Sequence, residues 1–374
     1  MATTVLHRPV ILYETLEALY QYVNETWQAE RRSRFLAKAA QRSTPDQQHR
    51  LGELTRMQDS LMEEVCRDVD REDPRILHFF RRWETENKWQ NLCLAKLLVY
   101  SFLDITAADW ETAVSRLREN ADAIFSAPCE IFDVNSGGLS IRSWQGEGQP
   151  PELIDQLDQL ALEEEYRWTL YKALRRYPRY LEELETLLRP LARRMEQALD
   201  RNRPLLEPVY ARWERYFADH TFAQFLGNLT DQAVEDDDLD NRVNVSVLAG
   251  TDVIYTYQDT LACRSVRQIY IGVLIDENAR VNRVQMSHED LCSLLRIISD
   301  RSKFEILCHI ARQEAYGQEL AKKLGLTTAT ISRHMAILQD AGLVHTRRSE
   351  SRVYYRMNRE TLQNLLDFTR ESLS

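Results

Sequence analysis

The stretch from Arg301 to Asn358, RSKFEILCHIARQEAYGQELAKKLGLTTATISRHMAILQDAGLVHTRRSESRVYYRMN, limits the fold more tightly than any other part of this chain. Its apolar spacing predicts one helix over about Lys303 to Arg312 and a second over about Gly317 to Leu324. Leu320, Leu324 and Leu326 flank Gly325, where a glycine takes positive φ at little cost. Thr327 and Thr328 then offer a hydroxyl to start a third helix, over about Thr328 to Ala341. Within it Ile331, Met335 and Leu338 fall at i, i+4 and i+7, an apolar stripe that must face a core. The opposite side carries Ala329, Ser332, Arg333 and Ala336. Gly342 ends the helix, Leu343 and Val344 begin a strand, and His345 to Met357 carries Arg347, Arg348, Arg352 and Arg356. Helix, helix, tight turn, helix and basic hairpin in that order predict a winged helix-turn-helix.

Small residues let such a helix sink into a DNA groove, and Arg333 can reach a guanine edge or a phosphate. A hairpin bearing several arginines suits phosphate or minor-groove contact. The run GQELAKKLGLTTATISRHMAILQDAGLV, followed by a basic wing ending VYYRMN, resembles the ArsR-type winged-helix transcriptional regulators. The preceding ISDRSKFEIL resembles that family's first-helix pattern, and the resemblance covers about the last quarter of the chain. It implies a homodimeric repressor that leaves double-stranded DNA when an effector arrives. It also implies a DNA-facing set of Thr328, Thr330, Ser332, Arg333 and His334, with Arg347, Arg348 and Arg352 in the wing. Arg333 and Ser332 would read base edges, Thr328 and Thr330 would anchor phosphates at the helix N-terminus, and the wing arginines would hold the backbone. Many metal sensors of this family carry Cys-x-Cys at the start of the helix before the recognition helix. Here the matching residues are Glu314, Ala315, Tyr316 and Gly317. The other common site uses carboxylates and histidines of the last helix, and residues 360–374 contain no histidine. The expected effector is therefore not a metal, and no cofactor is expected.

A chain of 374 residues is long enough for two or three domains with sizeable cores. The formal net charge of −10 speaks against binding DNA by bulk attraction. From Glu289 onward basic residues slightly outnumber acidic ones, which suits a mildly basic module on an acidic body. No run of about 18 apolar residues and no signal-peptide pattern occurs, so a cytoplasmic protein without a membrane partner is expected. The six cysteines are scattered without a C-x-x-C pair, which predicts reduced, mostly buried thiols.

The expected fold class is mainly α, in three parts. Residues 1–235 form a long N-terminal helical body, an effector or interaction domain, with apolar residues at helical spacing as in Leu181, Leu184, Leu187, Leu188 and Leu191. Helix starts are expected at Thr44-Pro45 and at Thr106 to Asp109, and Ala127 to Pro151 interrupts the helices as a loop or short hairpin. Residues 236–285 form a short β-rich connecting segment, a small antiparallel sheet or a hairpin with a third strand, placed to couple body and module or only to complete the body's core. Residues 286–374 form the winged helix, whose first helix (about Ser287 to Ser299) and last helix carry leucine stripes for a two-fold dimer.

Other features yield to plainer readings. Asp133 to Gly138 opens like a calcium loop, but its twelfth position is Trp144 rather than a glutamate. Glu235 to Asp240 reads as a solvated acidic linker. His288 and Cys292, with Cys308 and His309, lack a zinc spacing, and Cys308 sits among apolar positions. Trp83, Trp89, Trp168, Tyr171, Trp213, Tyr216 and Phe217 could line a pocket for a small apolar or aromatic effector, though aromatics at helical spacing are more often core. No nucleophile elbow, phosphate loop, H-E-x-x-H or dinucleotide fingerprint is present, so no enzyme is expected. Two alternatives stand beside a DNA-binding regulator. In one, the body is a protein-interaction scaffold whose winged helix docks protein. In the other, a ligand-binding or enzymatic body is fused to its own regulator.

Overall fold

The computed structural model describes residues 3–25, 32–33, 35–36, 44–84, 91–135, 138–144, 148–160, 162–230, 239–258, 266–276, 288–349, 352–358, 361–362, 365–366 and 369–370. The chain divides into two units, Met1–Trp83 with Leu92–Arg280, and Glu84–Asn91 with Val281–Ser374.

The first unit opens with strand β1 (Thr3–Leu6) and helix α1 (Ile11–Val23), whose first ten residues are all buried, Glu14 and Glu17 included. Helix α2 (Pro45–Cys66) starts where Thr44 and Pro45 predict. The Gln47 N–H donates to Thr44 Oγ1 at 3.4 Å, and the Thr44 N–H donates to Gln47 Oε1 at 2.8 Å. After α3 (Pro74–Phe80) comes α4 (Leu94–Val99), buried throughout, Lys96 among its residues. Asp109 caps α5 (Trp110–Ser126) by accepting from the Thr112 N–H at 2.9 Å. The glycine-bearing interruption folds as an antiparallel hairpin, β2 (Cys129–Asn135) and β3 (Gly138–Ser143). Helices α6 (Leu153–Leu157), α7 (Glu164–Arg175), α8 (Tyr177–Arg201), α9 (Arg203–Asp219) and α10 (Phe222–Thr230) follow.

The β-rich segment departs from expectation. Strands β4 (Asp240–Ser246), β5 (Val253–Gln258) and β6 (Val266–Gly272) join β1 in one sheet of order β1-β4-β6-β5. β4 runs parallel to both β1 and β6, and β5 is antiparallel to β6, so the sheet is mixed rather than antiparallel. The strands of this segment, read either as coupling body and module or as only completing the body's core, are tied to the start of the chain and belong to the first unit. Burial is the reason: Val243, Val245, Ile269 and Ile271 are fully buried, the pattern of inner strands that need a neighbour on each side. A Cβ on Gly272 would lie 2.2 Å from the Gly250 carbonyl oxygen, so the end of β6 meets the turn after β4 as only glycine allows.

Charge is buried where α1 and α4 lie. Lys96 Nζ is 2.8 Å from Glu17 Oε1, with each side chain 5% exposed. The Tyr100 hydroxyl donates to Glu17, and the Tyr20 ring centroid lies 3.6 Å from the ammonium. The Glu14 carboxylate accepts from the N–H groups of Val247 at 3.1 Å and Leu248 at 2.9 Å, which fastens α1 to the turn after β4. Burial outweighs these bonds and pushes Glu14 up to about 7.

The aromatic residues named for an effector pocket do not converge. Trp213, Tyr216 and Phe217 pack with Phe225 as core, Trp83 stacks on Tyr166 at 4.7 Å, and Trp168 meets Tyr171 at 5.6 Å. Trp89 lies outside the described residues.

The second unit runs α11 (His288–Ser299), α12 (Arg301–Ile310), β7 (Ala315–Tyr316), α13 (Gly317–Leu324), α14 (Thr328–Asp340), β8 (Val344–Ser349) and β9 (Arg352–Met357). Its three strands order as β7-β9-β8, and Leu294, Ile306, Ile310, Leu320, Ile331, Met335 and Leu338 meet in one core. Beyond β9, residues 361–362, 365–366 and 369–370 are helical, with Leu365 buried and Leu366 exposed. The thiols correct the expectation of burial. Cys66 and Cys93 are buried, but Cys292 and Cys308 are exposed. At about 100° per residue, Cys308 stands far around α12 from the buried Ile306.

Candidate nucleic-acid interface

Helix α14 is set by what precedes it. Gly325 ends α13 at φ 65° and ψ 27°, a left-handed conformation, and the Leu326 N–H donates to the Ala321 carbonyl at 3.0 Å. Thr327 is extended, at φ −75° and ψ 155°, and its Oγ1 accepts from the Thr330 N–H at 3.1 Å. The N–H groups of Thr328 and Ala329, in the first turn, have no carbonyl partner within the helix and form the positive end of its dipole.

Three rows divide the helix. Ile331, Met335 and Leu338 are buried in the core. Thr328, Ala329, Ser332, Arg333, Ala336 and Gln339 are exposed. Thr330, His334 and Ile337 are half-buried between these rows. Arg333 has no ion-pair partner among the described residues. The expected contact set therefore does not present one uniform face. Thr328, Ser332 and Arg333 stand outward. The hydroxyls of Thr330 and Thr327 share a hydrogen bond, Oγ1 to Oγ1 at 2.8 Å. His334 holds Nδ1 buried with no hydrogen-bond partner among the described residues. Asp300 caps α12 by accepting from the Lys303 N–H at 3.0 Å, and this bond, with the charges of Lys303 and His334, holds its carboxyl below the usual range.

In the wing, register pairs Arg347 with Tyr354, Ser349 with Arg352 and His345 with Arg356, while Arg348 pairs with Val353. Residues alternate between the faces of a strand, so Arg347, Arg352 and Arg356 occupy positions of one parity. Arg348 shares the other parity with Val344, which is buried, and with Tyr355 and Met357, which pack on the core. Strand β7 extends this sheet, Ala315 opposite Tyr355 and Tyr316 opposite Tyr354, with the rings of Tyr316 and Tyr354 5.8 Å apart. Arg356, exposed, and the exposed Lys322 and Lys323 of α13 are further cations that spacing alone did not single out as contacts.

Residues 314–317 offer no sulfur, and Ala315 is buried against the core. Among the described residues, no three His, Cys, Asp or Glu side chains come close enough to hold a metal. No helix among them is long and apolar enough to cross a membrane.

Comparison with known proteins picks out the same module. The profile of a family described as "Bacterial regulatory protein, arsR family" matches residues 300–346. The HTH-type transcriptional regulator KmtR of Mycobacterium tuberculosis is 32% identical over 73 residues, 20% of this chain and 56% of that protein. The chain thus spans little more than half the length of that relative. The arsenical resistance operon repressor of Staphylococcus aureus is 32% identical over 81 residues, 22% of this chain and 78% of that protein. Reduced HlyU from Vibrio cholerae is a structural neighbour with 27% identity and a TM-score of 0.20, covering 21% of this chain and 85% of its own.

Proposed function

Because this chain belongs to the ArsR family of bacterial regulatory proteins through its C-terminal module, we propose that it is a sequence-specific, DNA-binding transcription regulator, acting as a homodimeric repressor that answers to a non-metal effector. One observation carries the reading. The outward row of α14 presents Arg333, in the second turn and without an ion-pair partner among the described residues, between the small side chains of Ala329, Ser332 and Ala336, and Thr328 stands exposed at the helix N-terminus. The wing adds cations at one parity of β8 and β9.

Dimerisation is supported by apolar exposure. Leu295 on α11 is 43% exposed and Leu366 is 55% exposed, large apolar groups left without cover in one module. A two-fold partner would bury them and would set two copies of α14 about one DNA turn apart. The preference for a non-metal effector follows from the missing thiolates at 314–317. The relatives include repressors and also the transcriptional activator HlyU of Vibrio cholerae, so the direction of regulation is read out separately, from reporter expression.

The test is selection of duplexes from sheared genomic DNA by the full-length protein, with Arg333→Ala as control. The expected result is a two-fold symmetric site that only the wild type enriches, at a cost of about 1–3 kcal/mol for the variant. Enrichment of asymmetric sites would remove the dimer. Failure to enrich any duplex at low salt, where phosphate contacts are strongest, would remove the regulator reading.

A further inference from the structure

We infer that Ala329 and Ala336 are specificity-determining residues, reading the 5-methyl groups of thymines that flank a guanine held by Arg333. This rests on the proposal that α14 enters a duplex, and it goes further by naming the base pattern. Ala329, Arg333 and Ala336 are all exposed and stand at i, i+4 and i+7, so they share one outward row. Arg333 has no ion-pair partner among the described residues, and its fork is free for the O6 and N7 acceptors of guanine. Four residues before Arg333 and three residues after it, the row carries a bare methyl group, the side-chain chemistry that fits a thymine methyl and no base polar atom.

Within the span from Ala329 to Ala336, the polar neighbours of Arg333 add little base readout, while Thr328 and Gln339, also exposed, lie outside that span. Thr330 spends its hydroxyl on Thr327 at 2.8 Å, and His334 keeps Nδ1 buried, so neither sets a base preference from that atom. Ser332, exposed in the same row, both donates and accepts and so discriminates weakly. Along the axis Ala329 lies about 6 Å before Arg333 and Ala336 about 4.5 Å beyond it. Base pairs are spaced by about 3.4 Å. The thymines therefore fall within one or two base pairs of the guanine, one on each side.

The experiment changes the DNA first, so that no fold is at risk. Each thymine of the enriched half-site is replaced in turn by deoxyuridine, which removes only the methyl, and the guanine by 7-deazaguanine, which removes N7. Full-length wild type, Arg333→Ala, Ala329→Ser and Ala336→Ser are titrated against each duplex. The wild type should lose about three- to fivefold in affinity per critical methyl. It should lose about tenfold at 7-deazaguanine, a loss that Arg333→Ala no longer shows. Each Ala→Ser variant should lose its thymine preference on its own side of the guanine and keep the other. Equal binding of thymine and deoxyuridine duplexes at every position, with the duplex still bound, would overturn this inference and leave the regulator standing. Absence of binding to any duplex would overturn both.

Discussion

Thr327 holds the first turn of α14 by accepting from the Thr330 N–H at 3.1 Å, and its hydroxyl also meets that of Thr330 at 2.8 Å. Thr327→Ala should cost the second unit about 1 kcal/mol, read as a lower urea midpoint with unchanged slope. An unchanged midpoint would mean that the cap is redundant. The pair Thr327-Thr328 announced a helix start in the sequence, but it did not say which hydroxyl caps. Thr330 and His334 entered the expected contact set through the family resemblance, whereas spacing put only Ala329, Ser332, Arg333 and Ala336 opposite the buried stripe. Both lie on the flank of the helix, between the buried stripe of Ile331 and Met335 and the exposed Arg333. A residue next to a buried one in a helix stands about 100° around the axis from it, which is a flank.

The wing behaves as a unit through its register. Arg347→Ala or Arg356→Ala should each lower the slope of log affinity against log salt by about one phosphate's worth. Arg348→Ala, at the parity of the buried Val344, should leave the slope nearer that of the wild type. Equal losses at all three would mean that the hairpin meets DNA with its tip rather than one face. The run of arginines was plain in the sequence. Their division into two sets was not, because a single residue of register exchanges the faces. The β-rich segment shows the same effect at larger scale: its strands were legible from Val, Ile and Tyr content, but pairing with Thr3 to Leu6 is a long-range choice that local pattern does not encode.

At the scale of the whole molecule, the first unit is locked by buried charge. Lys96→Met strands the Glu17 carboxylate and should destabilise the unit by about 3–5 kcal/mol, and adding Glu17→Gln should recover much of that. Equilibrium denaturation followed by tryptophan fluorescence reads both, and additive losses would show that the two groups are not coupled. Glu14 sets a pH dependence. Its folded carboxyl titrates at about 7 against an ordinary value of 4.5, so the folded state keeps a proton that the unfolded state releases. Stability should therefore fall as pH rises from about 4.5 to about 7, by on the order of 3 kcal/mol, and then level off. Glu14→Gln should flatten that slope. A wild-type profile already flat over this window would show that the carboxylate is solvated.

The sequence by itself determined the winged helix. Its apolar periods, its left-handed glycine at 325, its threonine cap and its basic hairpin are local signals that agree with one another within a single short module. It also marked the body as mainly helical and placed the helix starts at Thr44-Pro45 and at Asp109. Only the tertiary structure decided which strands share a sheet, which cysteines reach solvent, and that Trp213 and Phe217 pack as core with Phe225 while Trp168 stands exposed beside Tyr171. Those outcomes depend on partners far away in the chain, and burial selects among partners that local pattern leaves equivalent.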